Sequence, residues 1–440
     1  MRMIDETHDM SRQSWVASAN GHKEFPLQNL PFGVFSPPGN SIPDAKKRGG
    51  IAIGDMIFDL RAAHEAGLFT GPAATAAKAA AGGTLNALMA LGPAPRRELR
   101  KQVSGLLATG GKAEALADRL LHRASACWLH LPATVNNFTD FFAGIHHARN
   151  GGRRRDPNNP LSPNYKYVPV AYHSRASSVR EAGVPICRPN GQRKLPDEAA
   201  PSYGPCRKLD YELELAVWIG PGNRQGEPIP IGEASEHIFG LGLVNDWSAR
   251  DIQQWESAPL GPFLGKSFGS TVSPWIVTLE ALEPFRVAQP PRPEGDPRPL
   301  PYLWDEQDQR QGAFDIALEA LVLTPRMRQE GMPAHRISHG NTTDLYWTPA
   351  QLVAHHTSGG CNLLAGDLFG SGTISGPTEE GWGSLSEQSM DGTRTLTLGN
   401  GETRIFLEDG DEAIFRAHCR RDGYAPIGFG ECRGRVVPAD

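Results

Sequence analysis

Residues 209–220 read LDYELELAVWIG, and the reading of this stretch decides the fold. Tyr211, Leu213 and Leu215 alternate with Glu212 and Glu214, the period of a β-strand, so both carboxylates share one face and the apolar side chains take the other. A solvated sheet face is the ordinary fate of such alternation. The sequence on the C-terminal side argues instead for the wall of an active site. After a Gly/Pro turn, PGNRQGEPIP, the apolar run from Ile238 to Val244 reads as a buried strand ending at Asn245 and Asp246, and SARDIQQWE then reads as a helix that puts Asp246, Arg250 and Gln253 on one side. Next comes PLGPFLGKSFGSTVSPW, rich in glycine and carrying Lys266. Its GPFLGKS lacks the spacing of a phosphate loop, which excludes a nucleotide site there. Three acids, an arginine and a lysine thus converge among glycine turns that let backbone approach a ligand.

The rest of the chain bounds the class of protein. Its 440 residues are enough for two domains, or for one large domain with a small one appended. A net charge of -5 and a pI near 6.3 give no support for nucleic-acid or membrane-surface binding. The first thirty residues carry no apolar segment of the signal-peptide kind, and no apolar run approaches a membrane span. Six scattered cysteines without a CxxC pair imply reduced thiols in a cytoplasmic protein and argue against a zinc cluster.

Residues 1–133 read as a separate N-terminal domain and 134–440 as the catalytic one. In the first, GGIAIGDMIFDL is a hairpin turning at Gly54-Asp55, TGPAATAAKAAAGG follows it, and helical material is expected from Arg96 to Arg123. In the second, VNNFTDFFAGIHHARNGGRRRDP sets Asp140 and His147 seven apart, two turns of a helix and so one face, with His146 pointing elsewhere. A Pro-rich loop then leads to a short strand with Tyr172. Residues 285–311 read as a surface excursion. TPAQLVAHHTSGG is a capped helix with Thr348 as N-cap, Pro349 at N1 and Gln351 closing a capping box, and its His355-His356 pair reads as structural. The C-terminal part is a run of short strands. Gly372, Thr373 and Glu387 fall in its irregular, glycine-rich stretch, where backbone N–H groups meet an anion.

Eight segments in order, FPLQNLPFGVF, FDLRAAHEAGLFTGP, YHSRASSV, GPGNRQGEPIPI, EHIFGLGLVNDWSARDIQQWE, PLGPFLGKSFGSTVSPW, GDLFGSGTISGP and DGYAPIGFGEC, resemble the motifs of the fumarylacetoacetase family. The resemblance implies a mainly β (α+β) chain: a small SH3-like β-barrel, then a mixed β-sandwich roll, assembled as a homodimer. It implies a calcium site at Asp140, Glu212, Glu214 and Asp246, and a magnesium site at Asp246, Lys266 and Ser270. His147 matches the family's general base and Glu387 the acid that orients it. Arg250, Gln253 and Lys266 match groups that hold the diketone and its leaving carbanion, and Arg155, Tyr172 and Thr373 match further substrate contacts. Phe142 and Ser257 stand where the family has substrate-contacting tyrosines, and Ser270 where it has threonine, which leaves the substrate's tail open.

The chemistry agrees with these implied roles. Four carboxylates share a pocket only around a cation, and hard oxygen ligands select calcium or magnesium over zinc. The implied reaction is hydrolysis of the carbon–carbon bond of 4-fumarylacetoacetate, a small diketo acid, to fumarate and acetoacetate. The alternatives are another diketo-acid hydrolase of the acylpyruvate type, or a hydratase or decarboxylase, on the same scaffold. A metal-stabilised scaffold protein without turnover would require a disabled base, and His147, Glu387 and Lys266 are intact.

Overall fold

In the computed structural model, which describes residues 4–39, 46–153, 156–194 and 198–440, the deciding stretch forms the strands Leu209–Asp210 and Leu213–Ile219. Leu213–Ile219 lies at the middle of a sheet running Ala171–His173, Phe138–Phe141, Leu368–Gly370, Leu213–Ile219, Ile238–Asp246, Ser270–Val272 and Val179–Glu181, with Val277–Thr278 joined to the far end of Ile238–Asp246. Two pairings in it are parallel, Leu368–Gly370 with Phe138–Phe141 and Ser270–Val272 with Val179–Glu181. A second sheet, in the order His335–Asn341, Ala317–Leu323, Glu412–Cys419, Ile427–Val437 and Ile186–Cys187, is built mainly from C-terminal strands.

The two faces of Leu213–Ile219 have different fates. Leu213, Leu215, Val217 and Ile219 join Trp247, Trp347, Leu318 and Phe415 in one buried core between the sheets. Each such side chain, fully buried, contributes roughly 1.5–3 kcal/mol relative to exposure. Ala216 and Trp218 point the other way, into a core shared with Val34, Ile51, Phe58 and Leu88 of the N-terminal unit. On that same face the period of two places Glu212 and Glu214 beyond the edge of this apolar cover. The N-terminal unit therefore closes one end of the face and leaves the other end to the carboxylates.

The N-terminal unit holds a five-stranded sheet, Leu121–Arg123, Met56–Asp59, Arg48–Ile53, Phe32–Ser36 and Trp128–His130, and its hairpin turns at Gly54, whose φ of +55° suits a glycine. The helical material expected from Arg96 to Arg123 is divided: the long helix Pro93–Leu107 stops ahead of Gly110, with φ of +76°, and Gly111, helical turns resume over Glu114–Leu116 and Ala117–Leu120, and residues 121–123 enter the sheet. Arg96 on this helix is buried and grips Glu280 of the C-terminal part with Nε and Nη2 at 2.9 and 2.8 Å. The excursion at 285–311 is not wholly irregular: Asp305 caps a helix, Glu306–Gln311. Thr348 caps Pro349–Thr357 with Gln351 completing the box, as expected. No helix among the described residues is long and apolar enough to cross a membrane.

Candidate active site

Strand register lays the acids side by side. Asp140 pairs with Tyr172 on one side and Gly370 on the other, Gly370 pairs with Ala216, Glu214 with Val244, and Asp246 with Ser270. Asp140 and Gly370 are therefore level with Ala216, two residues along the strand from Glu214, and Asp246 lies two residues beyond Val244, so the acids step diagonally across the sheet, with Glu212 just ahead of the strand Leu213–Ile219. Each of the four offers an oxygen within 4.8 Å of the others, and all four are buried. Helix geometry plays no part in bringing Asp140 to His147. Asp140 is on the strand Phe138–Phe141 and His147 on the helix Ile145–Arg153, so the expected common helical face gives way to a strand, a tight turn and a helix.

The nest divides electrically into two halves. Lys266, from the short helix Leu264–Ser267, bonds Glu212 and lies 2.8 Å from Asp246 Oδ2, while Arg250 Nη1 lies 2.7 Å from Glu212 Oε1. Burial alone would raise the Glu212 pKa, but Lys266 and then Arg250 hold it well below the usual carboxylate range. At Asp140, burial and then Asp246 outweigh the pull of Lys266 and push the pKa up to about 8. Glu214 is raised as well, by burial and then by Asp140 and Glu212. Asp140 Oδ1 and Glu214 Oε1 are buried without a hydrogen-bond partner. Two uncompensated acids with oxygens aimed at one point fit a hard divalent cation, held by Asp140, Glu212, Glu214 and Asp246. Lys266 enters this group as an ammonium, since Asp246 and Glu212 outweigh burial and raise its pKa. Its side chain supplies charge and no lone pair.

Beside the nest stands a histidine with an oriented ring. His147 Nδ1 is 2.7 Å from Glu387 Oε2, and Nε2 is 3.9 Å from Glu212 Oε1. Glu387 also accepts from Asn150 Nδ2 at 2.8 Å, Ser375 Oγ at 2.8 Å and Ser384 Oγ at 2.9 Å. These contacts overcome the upward pull of burial and keep the Glu387 carboxyl ionised. An ionised, acceptor-only partner fixes the proton on Nδ1 and leaves the Nε2 lone pair facing the nest. Glu387 does not sit in irregular chain, as the sequence implied, but at N3 of the helix Leu385–Gln388, where Ser384 caps the end.

The remaining expected residues are distributed unevenly. Tyr172 donates to Asp246 Oδ2 at 2.8 Å, and Ser270 donates to Asp246 Oδ1 at 2.7 Å. Gln253 Oε1 accepts from Arg250 at 3.4 Å. Thr373 Oγ1 is buried without a partner, and the anion met by the backbone N–H of Gly372 is the protein's own Glu214, at 3.1 Å. The Phe142 ring stands edge-on to His147, centroids 5.6 Å apart. Ser257 turns its hydroxyl back onto Gln253 O. Arg155 lies outside the described residues. His356 bonds Thr139 and stacks on Phe369, away from the acids. Sequence reasoning passed over Asp210, Asn150, Ser375 and Ser384. Asp210 continues the alternation of Glu212 and Glu214, and Asn150 is one helical turn after His147, so both carried a signal.

The family model for the fumarylacetoacetase N-terminal region matches residues 28–132, and that for the fumarylacetoacetate hydrolase C-terminal region matches residues 136–437. The chain belongs to the fumarylacetoacetate hydrolase family. Fumarylacetoacetase of Homo sapiens is 50% identical over 424 residues, spanning 94% of this chain and 97% of that one. Fumarylacetoacetase of Arabidopsis thaliana is 46% identical over 420 residues, 94% of this chain and 96% of that one. Among solved structures, the fumarylacetoacetate hydrolase of the psychrophile Exiguobacterium antarcticum shares the fold, with a TM-score of 0.50 and 18% identity over 93% of this chain and 99% of that one.

Proposed function

We propose that this chain hydrolyses the carbon–carbon bond of 4-fumarylacetoacetate to fumarate and acetoacetate, the closing step of tyrosine and phenylalanine breakdown. The observation that carries this reading is the His147–Glu387 pair at 2.7 Å with its free ring nitrogen directed at four buried carboxylates, in a chain so similar to the named fumarylacetoacetases. Calcium or magnesium held by Asp140, Glu212, Glu214 and Asp246, with Ser270 in support, would neutralise the nest and polarise the oxygens of a bound 1,3-diketone. His147 Nε2 takes a proton from water as its oxygen attacks the carbonyl, and Glu387 stabilises the imidazolium that results. The bond between the attacked carbon and its neighbour breaks, and the electron pair leaves as an enolate of acetoacetate. Lys266 and Arg250 place positive charge where that enolate develops. The proton held by His147 returns to the carbon, and the base is regenerated. Tyr172, Gln253 and Thr373 line the diketone, with Arg155 assigned to the terminal carboxylate, and Phe142 and Ser257 lie towards that tail.

The same reading takes residues 1–133 as an SH3-like barrel, 134–440 as the catalytic domain, and the working form as a cytoplasmic homodimer. The test is direct: the protein, supplied with calcium or magnesium, should bleach the ultraviolet absorbance of the diketo-acid enol while releasing one fumarate per substrate. Release of pyruvate or carbon dioxide from another diketo acid, with fumarylacetoacetate untouched, would transfer the chain to a different activity on this scaffold.

A further inference from the structure

Asp210 has no part in the chemistry above, yet the two halves of the site meet on its carboxylate. It lies at the end of the strand Leu209–Asp210 and is fully buried. Oδ2 accepts from Arg250 Nε at 2.9 Å, lies 2.8 Å from Arg250 Nη2, and accepts from the backbone N–H of Ser386 at 3.0 Å. Oδ1 accepts from the backbone N–H groups of Tyr211 and Leu385 at 2.8 and 2.7 Å. Three backbone N–H groups and the guanidinium of Arg250 thus converge on one carboxylate. Leu385 and Ser386 open the helix whose third residue is Glu387. Arg250, the other partner, reaches on to Glu212 with Nη1.

We infer that Asp210 is a positioning residue for the hydrolysis proposed above, fixing Arg250 against the developing enolate and, through the helix Leu385–Gln388, fixing Glu387 and hence the His147 ring. An ordinary capping role would need only the two backbone donors of that helix. The charge-assisted hydrogen bond from Arg250 Nε to Oδ2, the oxygen that also accepts from Ser386, adds a link between the group that meets the leaving charge and the group that aims the base. Side chains held this way lose catalysis steeply when displaced: a misplacement of about 1 Å costs on the order of 10²-fold.

Asp210→Asn keeps size and shape but turns an NH₂ toward at least one donor. The readouts are kcat, KM, melting temperature and the downfield imidazole N–H resonance of the His147–Glu387 bond. The expected result is a fall in kcat of about 10²-fold with KM raised and the resonance displaced in folded protein. Adding Arg250→Met should then lower kcat by less than the product of the two single effects. A lowered melting temperature with kcat, KM and resonance unchanged would make Asp210 a structural cap and overturn the inference. Should Asp210→Asn fail to fold, Arg250→Met decides alone: release of one arm of Asp210 must move the His147 resonance, and an unmoved resonance overturns the link. Because the resonance requires no substrate, it separates this inference from the choice of diketone.

Discussion

Gly370 and Asp140 face each other across a parallel strand pair so closely that a Cβ on Gly370 would fall 2.4 Å from Asp140 Oδ1 and 2.6 Å from Glu214 Oε2. Only a glycine leaves room for the two uncompensated acids to converge. Gly370→Ala should therefore displace both carboxylates. Turnover should fall by about 10²-fold and calcium affinity should weaken, read by titration calorimetry, while the sheet survives. Native-like affinity in the alanine variant would show that the acids do not act as one nest.

The raised Asp140 and Glu214 pKa values express burial first and repulsion among the acids second, and a bound cation offsets both. Treatment with a chelator should abolish turnover, and calcium or magnesium should restore it. The ion should also raise the melting temperature, since a ligand at 100 times its Kd stabilises by about 2.7 kcal/mol. Full activity in metal-free protein would refute the assignment of these four residues.

His146 and His147 are neighbours in sequence, but only His147 meets both Glu387 and the nest. His147→Ala should reduce kcat by at least about 10²-fold, the scale of a lost general base, and His146→Ala should cost little. Comparable losses in the two variants would leave the base unidentified.

Phe142 packs edge-on to His147 and to Tyr165, whose hydroxyl donates to Phe142 O. A phenol at position 142 would offer a hydrogen bond that the present ring lacks, worth about 1.5–3 kcal/mol if it meets a charged substrate group. Phe142→Tyr should thus raise kcat/KM for fumarylacetoacetate by about tenfold or more, mainly through KM. An unchanged value, with a neutral-tailed diketone cleaved faster by the native protein, would mean that the tail carries no carboxylate.

Far from the chemistry, Asp308 is buried beneath Thr348, and burial pushes its pKa from 3.8 up to about 6. The folded state therefore binds this proton more tightly than the unfolded chain. Its stabilising contribution is complete below pH 3.8 and is lost as pH rises through about 6. At 1.36 kcal/mol per pH unit the window is worth roughly 3 kcal/mol. Asp308→Asn should gain stability over the native protein by about that amount between pH 4 and pH 7, measured by urea unfolding at each pH. A difference that stays flat across the window would contradict the shift.

Much of this was legible in the sequence where the signal was local. Alternation in residues 209–220 gave the strand and the facing of Glu212 and Glu214, and the spacing Thr348, Pro349, Gln351 gave a helix with its cap. Junctions were harder. Asp140 and His147 sit seven apart, which also suits one helix, and only the pairing of Phe138–Phe141 with Leu368–Gly370 settles Asp140 on a strand. The end of the helix Pro93–Leu107 is hard to see because helical turns resume at 114–120 after the break at Gly110 and Gly111, before residues 121–123 join a sheet edge. The alternation puts Asp210 on the face of Glu212 and Glu214, but its partners Leu385 and Ser386 are remote in sequence, so the local pattern does not announce the contact made in three dimensions.

That remoteness has a consequence for synthesis. His147 and Glu387 are separated by 240 positions, and Asp140 waits for Gly370 to be made before its strand has a parallel neighbour. At about 10 residues per second a ribosome needs roughly half a minute to cover the gap. Throughout that interval the nascent chain carries its acids and its base without the strand and helix that bring them to order. Catalytic competence is therefore acquired near the end of translation, and a product released early, just short of Glu387, would hold all four carboxylates and none of the activity.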